Sequence, residues 1–211
     1  MKNFSLAEIE TWERFYRANF MNSLTGFKSA SLIGTANADG ATNLAIFSNI
    51  VHLGANPPLV GFVNRPKEAA PHTIANIENT GCYTINHIHT SFVNKAHQTS
   101  AKYEVNVSEF DAVGLTPEYI NDFKAPFVKE SLVKYALTLE EIIPIKLNNT
   151  FFVIGKIISV HLDEKIIAAD GYLHVENVNT ICTNGIDAYY ETTLLNRFEY
   201  AKPNIISKII Q

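Results

Sequence analysis

Cysteine is almost missing from this 211-residue chain, which has only Cys82 and Cys182. Two thiols so far apart in sequence supply neither a disulfide framework nor a zinc knuckle, and they read as reduced, partly buried side chains. Glycine is sparse too, at 10 residues, and neither G-x-G-x-x-G nor G-x-x-x-x-G-K-[ST] occurs. A Rossmann dinucleotide fold and phosphate-loop hydrolysis are therefore unsupported. The G-x-S-x-G elbow of an esterase and the H-E-x-x-H helix of a zinc hydrolase are equally absent. No apolar run is long enough to cross a bilayer, and Met1-Lys2-Asn3-Phe4 opens a polar stretch without a signal-peptide core. A cytoplasmic protein without a membrane partner is expected. Basic residues do not dominate: 17 Lys and Arg stand against 21 Asp and Glu, which leaves no electrostatic footprint for nucleic acid.

What is present reads as one globular domain over 1–211, with 46% hydrophobic and 18% charged residues. Ser5-Leu6-Ala7-Glu8 has capping-box spacing, and Ile9, Trp12, Phe15, Tyr16 and Phe20 recur at helical intervals. They predict a single amphipathic helix over 6–20, in an N-terminal helical segment 1–28, whose aromatic stripe suits a core or dimer contact better than a ligand. From Ser29 the period becomes two. The runs 30–36 and 42–47 flank Ala38-Asp39-Gly40, a hairpin turn. Pro57-Pro58 interrupts the ladder, 59–63 is a short buried strand, and a helix is expected to start at Thr73 as its N-cap. Residues 81–88 alternate like a strand, a polar helix is expected over 92–101, and 132–139 and 151–161 are β-rich. Asp170-Gly171 is another turn. Helices do not alternate regularly with strands, so a doubly wound sheet is not indicated. The fold class is α+β dominated by β, an antiparallel barrel over 29–211 with peripheral helices.

The segment 42–102 concentrates small polar groups, Asn43, Ser48, Asn49, Thr73, Asn86, Thr99 and Ser100, with the cations Arg65, His72, His97 and Lys102. A phosphate needs N–H and O–H donors plus positive charge, and a helix start near Thr73 shortly after Arg65 would offer all three. The same residue types also cap helices and solvate loops. His87-x-His89 places two imidazoles on one strand face without a third ligand, so two surface histidines and no metal are expected. His52, alone in an apolar strand, reads as a satisfied structural residue. With no protein-borne reaction signature, a bound cofactor is the simplest source of chemistry.

The run 48–66, SNIVHLGANPPLVGFVNRP, resembles the strand-loop-strand core of the flavin reductase-like, FMN-binding split-barrel family, in its flavoredoxin-like branch. The resemblance extends over 32–102 through Gly34-Thr35, Asp39-Gly40, Asn43-Leu44-Ala45, His72-Thr73-Ile74-Ala75-Asn76-Ile77, Tyr83-Thr84-Ile85-Asn86 and Lys95-Ala96-His97-Gln98-Thr99-Ser100-Ala101. Fainter echoes follow in Ser108-Glu109-Phe110, Ala125-Pro126-Phe127 and Gly155-Lys156-Ile157. It implies an FMN split β-barrel in which Asn43, Ala45, Ser48, Asn49 and Ile50 face the ring and ribityl chain. Arg65 and Thr73 would then hold the phosphate, and His97, Thr99, Ser100 and Lys102 would close over the cofactor, with Asn86 a further binding candidate. Ala45 stands where a threonine is common, and Arg65-Pro66 where many members have a Ser/Thr-rich loop, so arginine is expected to replace hydroxyls at the phosphate. NADH or NADPH would be the co-substrate, and free flavin, a ferric complex or a partner protein the electron acceptor. A flavoredoxin-like carrier and a split-barrel flavin oxidase are the alternatives. The resemblance also implies a homodimer. Tyr189-Tyr190 and Tyr200 suit a core or a dimer seam, with stacking on flavin or nicotinamide the other reading.

Overall fold

In the computed structural model, which describes residues 1–104 and 106–210, the N-terminal helix is broken in two. Ser5 caps α1 (Leu6–Glu10) as the spacing requires, its hydroxyl accepting from the Glu8 amide at 3.2 Å. The chain then turns and restarts as α2 (Arg14–Leu24), where the Glu13 carboxylate accepts from the amides of Phe15 and Tyr16. The break folds the aromatic stripe onto itself. Phe4 and Phe20 pack edge-to-face on Trp12 at 5.1 and 5.0 Å, and Tyr16 joins them, while Phe15 points into solvent. Neither helix has a buried residue, so the stripe is a local cluster rather than a wall of the core.

After the short β1 (Lys28–Ser29), the turn at Asp39-Gly40 joins β2 (Ser31–Ala36) to β3 (Thr42–Phe47) as an antiparallel hairpin. Asn37 Oδ1 accepts from the Asp39 and Ala41 amides, and Gly40 takes φ +86°, a conformation that needs a residue without Cβ. Pro57 lies in the turn between β4 (Val51–Ala55) and β5 (Pro58–Asn64), and Pro58 opens β5 opposite Ala55. There a missing N–H costs no ladder bond. The helix α3 (Pro71–Thr80) is capped three residues before the expected position. Ala70 is the N-cap, Pro71 fits the first turn with its fixed φ, and Thr73 is buried inside the helix. Gly81 ends it in the left-handed region and leads into β6 (Cys82–His87).

The polar helix α4 (Val93–Gln98) follows a 3-10 turn at Thr90–Phe92, and α5 (Glu109–Val113) follows in turn. The short pair β7 (Pro117–Glu118) and β8 (Phe127–Val128) precedes a long hairpin of β9 (Val133–Ile145) and β10 (Thr150–Leu162). Register shifts at Ile154/Gly155 and Ile157/Ser159 bend that hairpin, so β10 also pairs with β5. The result is a seven-stranded antiparallel sheet in the order β3-β2-β6-β9-β10-β5-β4. A smaller sheet joins β1, β11 (Ile181–Asn184) and β12 (Ala188–Glu191). The tail ends in the paired β13 (Arg197–Phe198) and β14 (Ile209–Ile210).

Every residue of β2 is buried because it separates two cores. Leu32 packs with Leu44, Phe92, Ala96 and Phe110 under the helices α4 and α5. Ile33, its neighbour on the other face, packs with Phe62, Ile74, Ile77, Tyr83 and Val153 inside the barrel, below α3. Close approach explains two glycines. A Cβ on Gly34 would strike the Pro126 carbonyl, and one on Gly155 the Tyr83 hydroxyl.

Two expectations change here. His87 and His89 are not surface histidines. His87 Nδ1 is buried without a partner, and His89 caps the 3-10 turn through Nδ1 while its Nε2 bonds the Glu130 carbonyl at 3.0 Å. Among the described residues no cluster of three or more metal-ligating side chains occurs. His52 is exposed on β4 rather than satisfied within a core. Both cysteines are free, with Cys82 buried and Cys182 partly so.

Candidate functional site

A cavity of about 650 Å³ opens where β3, the start of α3, the segment after α4 and the β11–β12 hairpin meet. That volume suits a small-molecule or cofactor site. The first wall is β3 and its following loop. As an edge strand, β3 carries outward amides that need partners, and Glu109 Oε2 takes the one on Leu44 at 2.9 Å. Asn43 donates to the hydroxyls of Thr35 at 3.3 Å and Thr73 at 3.1 Å, and Asn76 donates to the same Thr35 oxygen. This buried network ties β2, β3 and α3 into one unit. Asn49 grips Val63 at both ends, accepting from its N–H and donating to its carbonyl. Asn43 and Asn49 thus line the cavity while their side chains build it. Ala45, Phe47 and Ser48 complete this wall.

The second wall is the approach to α3, with Arg65, Ala70, His72 and Thr73. Ala70 offers no side-chain cap, so the first-turn amides meet the cavity unsatisfied by any side chain. Together with the helix dipole they favour an anion. Arg65 and Lys102, which reaches the cavity from the segment after α4, have no ion-pair partner among the described residues. Thr99 and Ser100 come from the same segment, and His97 from the last turn of α4. Thr99 donates to the Ala96 carbonyl at 2.8 Å, closing the end of α4. The β11–β12 hairpin adds Thr183, Ile186, Asp187 and Tyr189. Burial, and after it the negative Asp187, pushes the Tyr189 hydroxyl above the usual phenol range. Burial likewise raises the Glu109 carboxyl, against the pull of the Leu44 amide and of His72.

Of the residues expected at the site, Asn43, Ala45, Ser48, Asn49, Arg65, Thr73, His97, Thr99, Ser100 and Lys102 share this cavity. Ile50 is not among its lining residues and packs against the barrel core. Asn86 lies outside it as well. It is fully buried, donating to the Leu32 carbonyl and the Thr84 hydroxyl and accepting from the Val128 amide at 2.9 Å. Its amide side chain bridges strands because two neighbouring backbones leave groups that only a buried donor-acceptor can satisfy. Sequence reasoning missed Glu109, whose only signal was the faint Ser108-Glu109-Phe110 echo. It favoured packing over a ligand contact for Tyr189, and it counted His72 among the cations of the polar segment without giving it a specific binding role.

The flavin reductase-like domain family matches residues 24–179, well over half the chain. The chain belongs to this family. A split-barrel protein from Shewanella frigidimarina NCIMB 400, provisionally assigned as a flavin reductase, is 49% identical and superposes with a TM-score of 0.92 over 95% of this chain and 100% of its own. Nitrilotriacetate monooxygenase component B from Bacillus cereus shares the fold at a TM-score of 0.81 and 20% identity, covering 93% and 98% of the two chains. The flavoredoxin of Desulfovibrio vulgaris shares it at 0.69 and 23%, covering 85% and 92%. The family assignment makes the protein a flavin-related oxidoreductase with a split-barrel fold. No described helix is long and apolar enough to cross a membrane.

Proposed function

We propose that the cavity binds one FMN and that the protein is a cytoplasmic NAD(P)H-dependent flavin reductase, passing electrons to free flavin or a partner protein. The observation that carries this reading is the donor set. The uncapped start of α3 with Arg65, His72 and Lys102 suits a phosphate, and it shares a cavity with the hydroxyls of Ser48 and Ser100 and the apolar Ala45, Phe47 and Ile186. A phosphorylated polyol attached to a flat heteroaromatic ring needs that combination, so the residues present fit FMN. When bound, FMN supplies hydride chemistry that no side chain can perform.

The chain's own contribution is binding, orientation and shielding. Arg65 and the first-turn amides of α3 hold the phosphate, Thr73 being fixed there by its bond to Asn43. Backbone groups of β3, Ser48 and Asn49 would be the ones to hold the ring, kept rigid by the grip of Asn49 on Val63. Tyr189 and Ile186 cover the cavity from the hairpin.

A second copy of the chain is proposed to complete the molecule. The tail exposes Leu195, Phe198, Tyr200, Ile205 and Ile206, an apolar set that water alone would leave uncovered. The reading is tested by absorbance of the purified protein titrated with FMN, and by anaerobic mixing with NADH and NADPH. Bleaching of the flavin band supports the reductase. Bound FMN that does not bleach would leave an electron carrier, and a chain that binds no FMN would overturn the assignment. Arg65→Ala is expected to weaken FMN about 10- to 100-fold, the worth of one charge-assisted hydrogen bond.

A further inference from the structure

His97 and Tyr189 enter the cavity from different elements, α4 and β12, and meet there. Nδ1 of His97 lies 2.8 Å from the Tyr189 hydroxyl, with the rings edge-to-face at 83°. The other ring nitrogen has no hydrogen-bond partner among the described residues. A phenol hydroxyl donates to a neutral imidazole and accepts from a protonated one, so this contact satisfies the ring in both charge states. The remaining polar groups of the cavity do not share that property. Guanidinium and ammonium groups stay charged near neutrality, and the Glu109 carboxylate already holds the Leu44 amide.

We propose that His97 takes up one proton when a pair of electrons enters the cavity as hydride, so that reduction leaves the charge of the site unchanged. This rests on the FMN reading above. In the balanced step a C–H bond of the reduced nicotinamide breaks, its ring is oxidised to the pyridinium, and the hydride adds to the flavin. Once the oxidised nicotinamide leaves with its positive charge, the cavity has gained one negative charge. A solvent proton then adds to the unprotonated nitrogen of His97, and the imidazolium donates its Nδ1–H to the Tyr189 oxygen. Tyr189 is the positioning residue, holding the ring in the cavity wall.

The surrounding charges bear on this directly. Asp187, on the same hairpin as Tyr189, favours the imidazolium, and Lys102, following α4, opposes it. Tyr103 donates to the Gln98 carbonyl at 3.3 Å and so is engaged elsewhere, and Glu109 faces the cavity from α5. The competing group is His72, in the first turn of α3, which lines the same cavity and has no hydroxyl partner among the described residues.

The test is the midpoint potential of the FMN-loaded full chain, followed spectroelectrochemically from about pH 6 to 9. His97→Gln is expected to bind up to one proton fewer per pair of electrons over part of that range, read as a shallower slope. Tyr189→Phe should keep the wild-type proton count with its transition displaced to lower pH, because the imidazolium has lost its acceptor. His72→Gln should keep the wild-type number of protons per pair of electrons, whatever it does to FMN affinity or to the absolute potential. Flavin-loaded His97→Gln with the wild-type slope would overturn the proposal, as would loss of the proton in His72→Gln alone. A wild-type chain that holds no FMN at all would take down the functional reading itself, an outcome distinct from bound FMN with identical curves.

Discussion

His87 shows how one buried ring sets a pH limit on the whole chain. Its Nδ1 has no partner, and burial holds its pKa down to about 4 from the ordinary 6.5. Between those values the unfolded chain binds a proton that the folded chain refuses, so stability falls as pH drops through that window. The loss amounts to up to about 3 kcal/mol by pH 4. His87→Phe removes the titration and keeps an aromatic ring against Tyr135, which His87 now meets edge-to-face at 6.2 Å. Urea midpoints measured at pH 7 and 5 should fall further for wild type than for this variant; equal falls would refute the assignment. Asn86 makes the complementary case. Asn86→Ala strips the buried Val128 amide and Leu32 carbonyl of partners, at a cost of about 1–3 kcal/mol. Chemical denaturation should show that loss, while the FMN affinity of the folded variant should stay within about twofold of wild type. A large drop in affinity at unchanged stability would return Asn86 to the site.

Among the elements, α3 has its start left open where a cap would ordinarily sit. Ala70 makes no side-chain bond to the first turn, and an N-cap Asp would stabilise the helix by about 0.5–2 kcal/mol. The same carboxylate would occupy the amides offered to the phosphate and repel it. Ala70→Asp is therefore expected to raise the melting temperature of the FMN-free protein while weakening FMN at least tenfold. A variant more stable and equally tight would show that the phosphate is held elsewhere. The hairpin at Asp39-Gly40 was legible from alternation and turn residues alone. Strands β9 and β10 were legible in part, as the β-rich runs 132–139 and 151–161, but their pairing and the extension of β9 to Ile145 were not. The break after α1 was not. The stripe Ile9, Trp12, Phe15, Tyr16 and Phe20 satisfies a single helix, but Glu13 caps a new one and Phe4 closes the aromatic cluster. Periodicity records which residues are apolar, and it is silent on which of them pack on one another.

At the scale of the molecule, the exposed apolar tail argues for a partner of the same kind. Light scattering at micromolar concentration should give twice the chain mass, and removing residues 194–211 should give the monomer. A wild-type monomer would dismiss the second copy, leaving the residues around Leu195 and Ile206 as solvent-facing. The two cores flanking β2 also place the site. One fixes α4 and α5 on the outside of the sheet and the other fixes α3 over the barrel, so the cavity lies where their ends converge on the edge strand β3.

Sequence by itself determined the strand alternation, the turns, the missing nucleotide loops and the polar segment 42–102 from which most of the cavity's donors come. Those features are local, set by side-chain period and backbone preference within a few residues. Tertiary structure alone decided which polar groups face the cavity and which hold the frame. Asn43 and Asn49 build its wall, Asn86 bridges strands away from it, and Glu109 and Tyr189 arrive from segments remote in sequence. A buried amide and a ligand-binding amide are the same residue type in sequence. Their roles diverge only when folding brings particular backbone groups within hydrogen-bond reach.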